Sequence, residues 1–241
     1  MMKTLTTKHF FTGLALLLFL LLFFSEAATA GPGGIIKEAS KTLWGQIIMF
    51  GLLLFFAPLI IWYSIKRHIL IKRTKKLLTQ IALSDPRFEW IELKDRFTQV
   101  FYWVHTAWDQ QKMELAQDHV TDWYIKNQQY LLNKWEKEGI ENKVSNVKIK
   151  SIIPLYIVQN IKDDNKNRMT VEIEAEMRDF MINKKTGKVI EGDKKLGDVT
   201  TIWSFVWQDN HWVLNLIEAD EMSMDYLTEK SKVYASEGVA I

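Results

Sequence analysis

The sequence predicts an α+β protein in which a signal peptide and one transmembrane helix precede a domain of helices packed on a curved antiparallel sheet. Three observations predict this. Two long apolar runs open the chain of 241 residues. Apolar side chains then recur every three or four residues up to about residue 137. From Val144 onward they alternate with polar ones, and helices followed by antiparallel strands are typical of the α+β class.

Residues 1–30 have the three regions of a secretory signal peptide. A short basic start precedes the apolar run 10–24, and the small residues at 28–30 fit a cleavage site before Gly31. The alternative is an uncleaved first helix. That run of 15 residues spans only about 23 Å, less than the ~30 Å hydrocarbon core. Cleavage would leave 31–42 as a short exported segment.

The second apolar run, residues 43–63, is long enough to span a bilayer with some tilt. Gln46 is its only strongly polar residue, and no charged group lies inside it. Trp44 at one edge and Trp62 with Tyr63 at the other are rings that favour the membrane interface. The run therefore predicts a plain anchor, without a proton or ion pathway.

Six basic residues follow the span at once, and we name them the basic collar: Lys66, Arg67, Lys72, Arg73, Lys75 and Lys76. Residues 31–76 carry a net charge of +7, and residues 77–241 carry −6. The positive-inside rule then places the C-terminal domain in the cytoplasm, behind a bacterial inner membrane. We expect the collar to contact anionic lipid headgroups. The acidic domain argues against direct nucleic-acid binding.

Residues 64–84 predict a basic juxtamembrane helix that extends the membrane helix. Its predicted apolar stripe consists of Ile65, Ile69, Leu70, Leu77, Leu78 and Ile81. Asp85 and Pro86 end this helix, since the residue before a proline disfavours the helical conformation. Asp85 is also suited to cap the next helix, with Pro86 at its first position.

The domain itself begins with two predicted helices. The first carries an apolar face from Trp90 to Trp108, and the second runs from about Met113 to Lys137. Gly139 is the expected C-terminal stop of the second helix.

Four strands follow, the second of them an alternating run over 169–177. Turns are predicted between them at residues 162–167, 184–187 and 208–210. Glu172, Glu174 and Glu176 alternate with the apolar residues of the second strand, so we expect them to form a solvated face.

No residue pattern predicts catalysis, a metal or a cofactor. The chain lacks cysteine, and its five histidines lack metal-ligand spacing. His105 lies beside an apolar stripe, where a packed or rim histidine is expected. Asp179 is the one acid that shares a strand face with the apolar residues, and it stands at the strand's end. We interpret it as a rim carboxylate, the alternative being a general acid–base group.

A series of short motifs runs through residues 85–218. It comprises Asp85-Pro86-x-Phe88, Phe97, Phe101, Ala107-Trp108, Val120-Thr121, Tyr124, the turn from Lys184 to Gly192, Trp203-x-Phe205 and Trp212-x-Leu214. In order and spacing the series resembles the Tim44-like domain family, named after a subunit of the mitochondrial import motor. A mitochondrial ribosomal protein belongs to the same family. One departure is Asp109-Gln110-Gln111, where the family often has Gly-Asp.

The resemblance implies a nuclear-transport-factor-two-like cone over residues 85–228, with 229–241 as a flexible tail. In such a cone, helices close an apolar pocket, and we expect the pocket to be lined by Val171, Ile173, Ala175, Trp203 and Phe205. Family members associate with inner membranes and protein-biogenesis machinery, and no catalytic activity is attached to the domain. The aromatic residues among these are also suited to a plain hydrophobic core.

The leading hypothesis is an inner-membrane-anchored binding module that holds a protein, ribosome or lipid partner at the cytoplasmic face. It would act in membrane or protein biogenesis, as a single chain or as a homo-oligomer. The first rival is a pocket enzyme of the ketosteroid-isomerase-like type. The second is a structural component of an envelope secretion machine, although such domains lie outside the cytoplasm.

Overall fold

The computed structural model describes residues 41–234. The predicted signal peptide, all but the last two residues of the predicted exported segment and the end of the predicted tail lie outside this range. The chain divides into two compact units between Tyr63 and Ser64, the position at which the sequence predicts the membrane span to end.

The first unit contains the N-terminal part of helix α1 (Leu43–Ala82). Its most apolar window of 18 residues has a mean hydropathy of 2.2, and none of that window is buried. Within residues 41–234, α1 is the one helix that is long and apolar enough to span a membrane. These features fit a single-pass anchor.

The second unit begins with the rest of α1, whose buried stripe differs from the predicted one. Leu70 and Ile71 pack on a small cluster, and Leu78 is 2% exposed. Ile65 and Ile69, predicted in the same stripe, are instead exposed. Successive residues of a helix are turned by about 100°, which places Ile65 and Ile69 on the side opposite to the buried residues.

A layer of helices follows. A single 3₁₀ turn (Pro86–Phe88) leads into α2 (Trp90–Asp109), and α3 (Asp122–Lys137) ends before Gly139, whose φ of +71° suits a helix stop. The predicted start of the second helix at Met113 is corrected: a 3₁₀ turn (Met113–Ala116) stands there.

Between that turn and α3 the chain makes a further turn at residues 117–119 and then pairs with the sheet at Val120. Leu214 N donates to His119 O at 2.9 Å, and Thr121 N donates to Leu214 O at 2.9 Å. The hydroxyl of Thr121 then caps α3 by accepting from Tyr124 N. These bonds occupy backbone groups that a continuous helix would need.

A curled sheet of five strands forms the other layer, in the order β4-β3-β2-β1-β5. The strands are β1 (Ile140–Asn160), β2 (Arg168–Asn183), β3 (Val189–Gln208), β4 (His211–Ala219) and β5 (Lys232–Tyr234). The first four pair antiparallel, and β5 runs parallel to β1. Shifts of register mark bulges, which bend strands and increase their twist.

Two elements were not predicted. Helix α4 (Ser223–Thr228) follows β4, and β5 lies in the segment predicted as a flexible tail. Both depend on pairing or packing against β1, which the local sequence does not reveal.

The motif that opens the domain joins the helices to the sheet. The carboxylate of Asp85, 9% exposed, accepts hydrogen bonds from the backbone and side chain of Arg87 and from Gln159 on β1. Trp212 Nε1 on β4 donates to Arg87 O at 3.0 Å. The ring of Phe88 meets that of Trp212 edge-on, with centroids 5.3 Å apart. The motif therefore fixes where α2 begins relative to β1 and β4.

Candidate functional site

The five residues predicted to line a pocket do share one face of the sheet. They are Val171, Ile173, Ala175, Trp203 and Phe205, and each is at most 1% exposed. Trp203 pairs with Val171 across β2 and β3, so parity along the strands brings the group together as the sequence suggests.

Helix α2 packs on this face. The ring of Phe97 stacks on Phe205 with centroids 3.9 Å apart, and Phe101 lies against Trp203 at 5.1 Å. The spacing of four residues between Phe97 and Phe101 directs both rings at the sheet. The sequence predicted that these five residues line an apolar pocket closed by helices, with a plain core as the alternative. In the structure their side chains belong to the buried core, because aromatic rings from α2 pack on the concave face.

His105 belongs to the same packed region. One of its ring nitrogens, Nδ1, lies 2.8 Å from Phe101 O one turn earlier, and since a carbonyl only accepts, Nδ1 carries the proton. The ring also stacks near Trp203. Burial lowers the pKa of His105, while the bond to Phe101 O and the charge of Asp179 oppose the shift. His105 is therefore a packed, neutral histidine; the sequence had left a packed or a rim position open.

Asp179 is exposed near the end of β2. Its Oδ1 accepts from the amide of Asn142 on β1 at 3.2 Å. This position agrees with a rim carboxylate. Within residues 41–234, no three histidine, aspartate or glutamate side chains are grouped so as to hold a metal ion.

Several large apolar side chains of the helical layer are exposed, and the sequence analysis predicted no site among them. They are between 40% and 72% exposed: Tyr102, Trp103, Leu115, Trp123 and Tyr130. The signal available in the sequence was an aromatic residue on the polar side of an amphipathic helix. Trp103 is such a residue, since it stands outside the stripe that α2 buries.

Trp103 is held in place by its neighbours. Its ring stacks on His119 with centroids 5.4 Å apart and an angle of 16°. Arg96 Nη1 lies 3.1 Å from His119 Nδ1, and because a guanidinium only donates, His119 Nδ1 accepts and the ring is neutral. Burial and the positive charge of Arg96 both lower the pKa of His119.

Arg96 is itself hydrogen-bonded to the sheet and to the loop before α3. Its Nε donates to Trp212 O at 2.8 Å, and its Nη2 donates to Asp118 O at 2.9 Å. The chain Arg96–His119–Trp103 thus presents one exposed indole in a fixed orientation.

The basic collar divides into two groups. Lys72, Arg73, Lys75 and Lys76 are exposed on α1, whereas Lys66 and Arg67 are half-buried. Arg67 is different, because its Nη2 lies 2.5 Å from Glu172 Oε1. Ser223 Oγ on α4 donates to the second oxygen of Glu172 at 2.7 Å.

Glu172 therefore corrects the sequence-based expectation of a solvated glutamate face. It is only 7% exposed, whereas Glu174 and Glu176 are more accessible. Parity along β2 correctly placed Glu172 on the outer face of the sheet. It could not show that α1 and α4 cover that face.

A small groove opens between α1 and the segment after α4. Its volume is about 40 Å³, and its lining includes Leu70, Arg73, Leu227 and Lys230. A space of this size holds one or two water molecules and is far smaller than typical ligand pockets.

Comparison with known proteins gives one match that covers most of the domain. A family model described as the Tim44-like domain matches residues 74–218. No curated protein matches the chain significantly.

Two solved structures are similar at a low level. The crystal structure of the intermembrane space region of chloroplast protein ARC6 has a TM-score of 0.36 and 9% identity, covering 51% of this chain and 93% of that one. The solution structure of a de novo designed β-sheet protein has a TM-score of 0.28 and 12% identity, covering 51% and 82%. Scores this low support no inference about function.

Proposed function

This chain belongs to the Tim44-like domain family, and from that premise we propose that it is a membrane-anchored module that binds a protein partner. The partner would be held at the cytoplasmic face of a bacterial inner membrane, in membrane or protein biogenesis. The apolar N-terminal part of α1 supplies the anchor, and the six basic residues that follow this part support the cytoplasmic orientation.

The fixed indole of Trp103 is the observation that carries this proposal. Trp103 is 45% exposed although it is large and apolar. Tryptophan, tyrosine and arginine are enriched among the residues that dominate protein–protein binding. A side chain that is already immobilised loses little conformational entropy on binding, which favours affinity. The concave face, by contrast, is filled by the rings of α2 and offers less to a ligand.

Site-specific photocrosslinking in intact membranes tests the proposal. A photoreactive residue at Tyr102 should capture a discrete partner, and Trp103→Ala should reduce the yield about tenfold or more, since a central aromatic contributes ~2 kcal/mol. Tyr234→Ala is the matched control, because Tyr234 is exposed to a similar degree on β5. Equal crosslinking in all three proteins would contradict the proposal.

The pocket-enzyme rival makes a different prediction. If Asp179 were a general acid–base group, Asp179→Asn would abolish function in a folded protein, since such groups contribute ~10²–10⁴ in rate. We expect Asp179→Asn to leave function nearly intact. Trp203→Ala should impair it through a loss of about 3–5 kcal/mol of stability from the emptied core site. Circular dichroism distinguishes misfolding from loss of a functional group.

Lipid contact by the collar is a second activity that a specific observation favours. Ile65 and Ile69 are 55% and 60% exposed, and Lys72 and Lys76 continue the same helical face. An apolar start followed by basic side chains suits an anionic membrane surface.

Vesicle binding by a protein of residues 64–241 tests this contact. We expect weak, salt-sensitive binding to anionic vesicles. A variant with Gln at four positions of the collar should lose most of this binding: Lys72, Arg73, Lys75 and Lys76. The control replaces Lys185, Lys188, Lys194 and Lys195, which changes the charge equally. Binding that is equal to neutral vesicles and insensitive to salt would refute the lipid contact.

A further inference from the structure

We propose that Arg67 has two alternative partners, the buried carboxylate of Glu172 and the phosphate of an anionic phospholipid. A membrane rich in anionic lipid would then compete with the domain for the juxtamembrane part of α1. This inference rests on the lipid contact proposed above, and it names the residue and the internal competitor through which that contact acts.

The geometry makes Glu172 the centre of a three-element junction. Arg67 on α1 pairs with one oxygen of Glu172 on β2, and Ser223 on α4 donates to the other. Both oxygens are thus engaged, and each bond comes from an element that covers the outer face of the sheet. Loss of the Arg67 contact would leave a carboxylate buried with one neutral donor.

The burial of the two partners is unequal. The side chain of Glu172 is 10% exposed and that of Arg67 is 28% exposed. A carboxylate removed from water needs a positive partner or several hydrogen bonds. Arg67 is at the edge of the junction, with part of its side chain already in contact with solvent.

The position of Arg67 along the chain brings it to the level of lipid headgroups. It follows the predicted end of the span by four residues, which is about 6 Å in a helix. The headgroup layer is itself roughly 5–7 Å thick on each side of the hydrocarbon core. A guanidinium forms paired hydrogen bonds with phosphate as readily as with carboxylate. Lys72 and its neighbours lie about 14 Å or more beyond the span, so headgroup phosphates reach Arg67 before them.

The packing contacts that would be lost when Arg67 and Glu172 separate lie outside the main core. Leu70 and Ile71 of α1 pack with side chains of α4 on a satellite cluster around Leu155, Ile202 and Leu227. A hydrogen bond adds to this packing, because the hydroxyl of Thr74 on α1 donates to Leu155 O at 3.2 Å. Local opening of such a small cluster is easier than opening of the main core. The partner that Arg67 binds therefore controls whether this cluster stays packed.

Two readouts on the full chain in lipid nanodiscs test the proposal. An environment-sensitive fluorophore on Ile69→Cys reports lipid contact, and the chain's lack of cysteine makes this label unique. Hydrogen exchange of residues 223–228 reports whether α4 remains docked. In anionic nanodiscs the fluorophore should shift to the blue and exchange should rise about tenfold. Added salt should reverse both.

Glu172→Gln removes the charge while keeping the shape and an acceptor oxygen. Exchange of 223–228 should then be raised already in neutral nanodiscs, and anionic lipid should add less than about twofold. Glu174→Gln is the matched control on the same strand and face, and it should behave as the unaltered protein. If Glu172→Gln does not fold, Arg67→Lys keeps the charge without the planar fork and should raise exchange in neutral nanodiscs.

The outcomes separate this inference from the lipid contact on which it rests. A blue shift without a change in exchange would show lipid contact while Arg67 stays on Glu172, and would overturn the inference alone. The absence of any blue shift would overturn the lipid contact and the inference with it. Unchanged exchange in both Glu172→Gln and Arg67→Lys would show that the pair does not hold α4 in place.

Discussion

At the level of single residues, the carboxylate of Asp85 joins three parts of the domain. Arg87 Nε donates to Asp85 Oδ1 at 2.8 Å, and Gln159 Nε2 donates to Oδ2 at 3.1 Å. Arg87 also pairs with Asp164 at 2.6 Å and lies 5.2 Å from the ring of Trp207. Burial alone would raise the pKa of Asp85, but the bonds from Arg87 and Gln159 outweigh it and lower that pKa.

Asp85→Asn should therefore destabilise the domain in a pH-dependent way. A lowered carboxyl pKa contributes stability above the ordinary value of about 3.9, and this is lost as the pH falls through the folded-state pKa. At pH 7 the variant should lose about 1.5–3 kcal/mol, the range for hydrogen bonds to charged groups. The difference should shrink below about pH 4.

Urea unfolding of a protein of residues 64–241 between pH 3 and pH 7 measures this effect. Asp95→Asn provides the control, because Asp95 is exposed on α2 and should change stability by less than about 0.5 kcal/mol. An Asp85→Asn deficit that is the same at every pH would rule out the charged form as its source.

At the level of elements, the hairpin of β2 and β3 depends on a close approach of two backbones. Gly192 has a φ of +78°, and a Cβ at this position would lie 2.3 Å from Asp179 O and 2.8 Å from Phe180 Cα. Gly187, in the turn of the same hairpin, has a φ of +67° but open space around it. The two glycines of the motif are therefore needed for different reasons.

Gly192→Ala should cost clearly more stability than Gly187→Ala. The left-handed conformation alone costs about 1 kcal/mol, which is the expectation for Gly187→Ala. The backbone collision adds to this at Gly192, for a total of about 2–4 kcal/mol. Thermal or urea unfolding of the two variants side by side provides the measurement. Similar losses of stability in the two variants would mean that β2 and β3 can move apart at Gly192 to make room for a Cβ.

At the level of the whole molecule, charge and hydropathy predict different surroundings for the two units. The predicted span ends at Tyr63, and the basic collar lies near the start of the second unit. The secretion-machine rival requires this unit to lie outside the cytoplasm. The membrane orientation therefore discriminates between the two functions.

Labelling of Asn165→Cys in spheroplasts decides the orientation. Asn165 is exposed in the turn between β1 and β2, and the chain has no other cysteine. A membrane-impermeant maleimide should fail to label intact spheroplasts and should label after lysis. Labelling before lysis would place the domain outside and favour the secretion-machine rival.

The sequence by itself determined the features that depend on neighbouring residues. Periodicity located α2 and the inward face of β2, and turn residues located the hairpin at 184–187, since these patterns need no distant partner. The motif series led to the Tim44-like family, which the match over residues 74–218 confirms. The alternation along β2 and β3 also predicted which residues share one face of the sheet: Val171, Ile173, Ala175, Trp203 and Phe205.

Only the tertiary structure decided which of these faces are covered. The break before α3 exists because Val120 pairs with Leu214, more than ninety positions along the chain. Glu172 is buried because α1 and α4 lie over it, and the rings of α2 close the face on which a pocket was expected. Periodicity specifies the direction of a side chain relative to its own strand or helix. What meets that side chain depends on contacts between residues far apart in sequence, which no local pattern encodes.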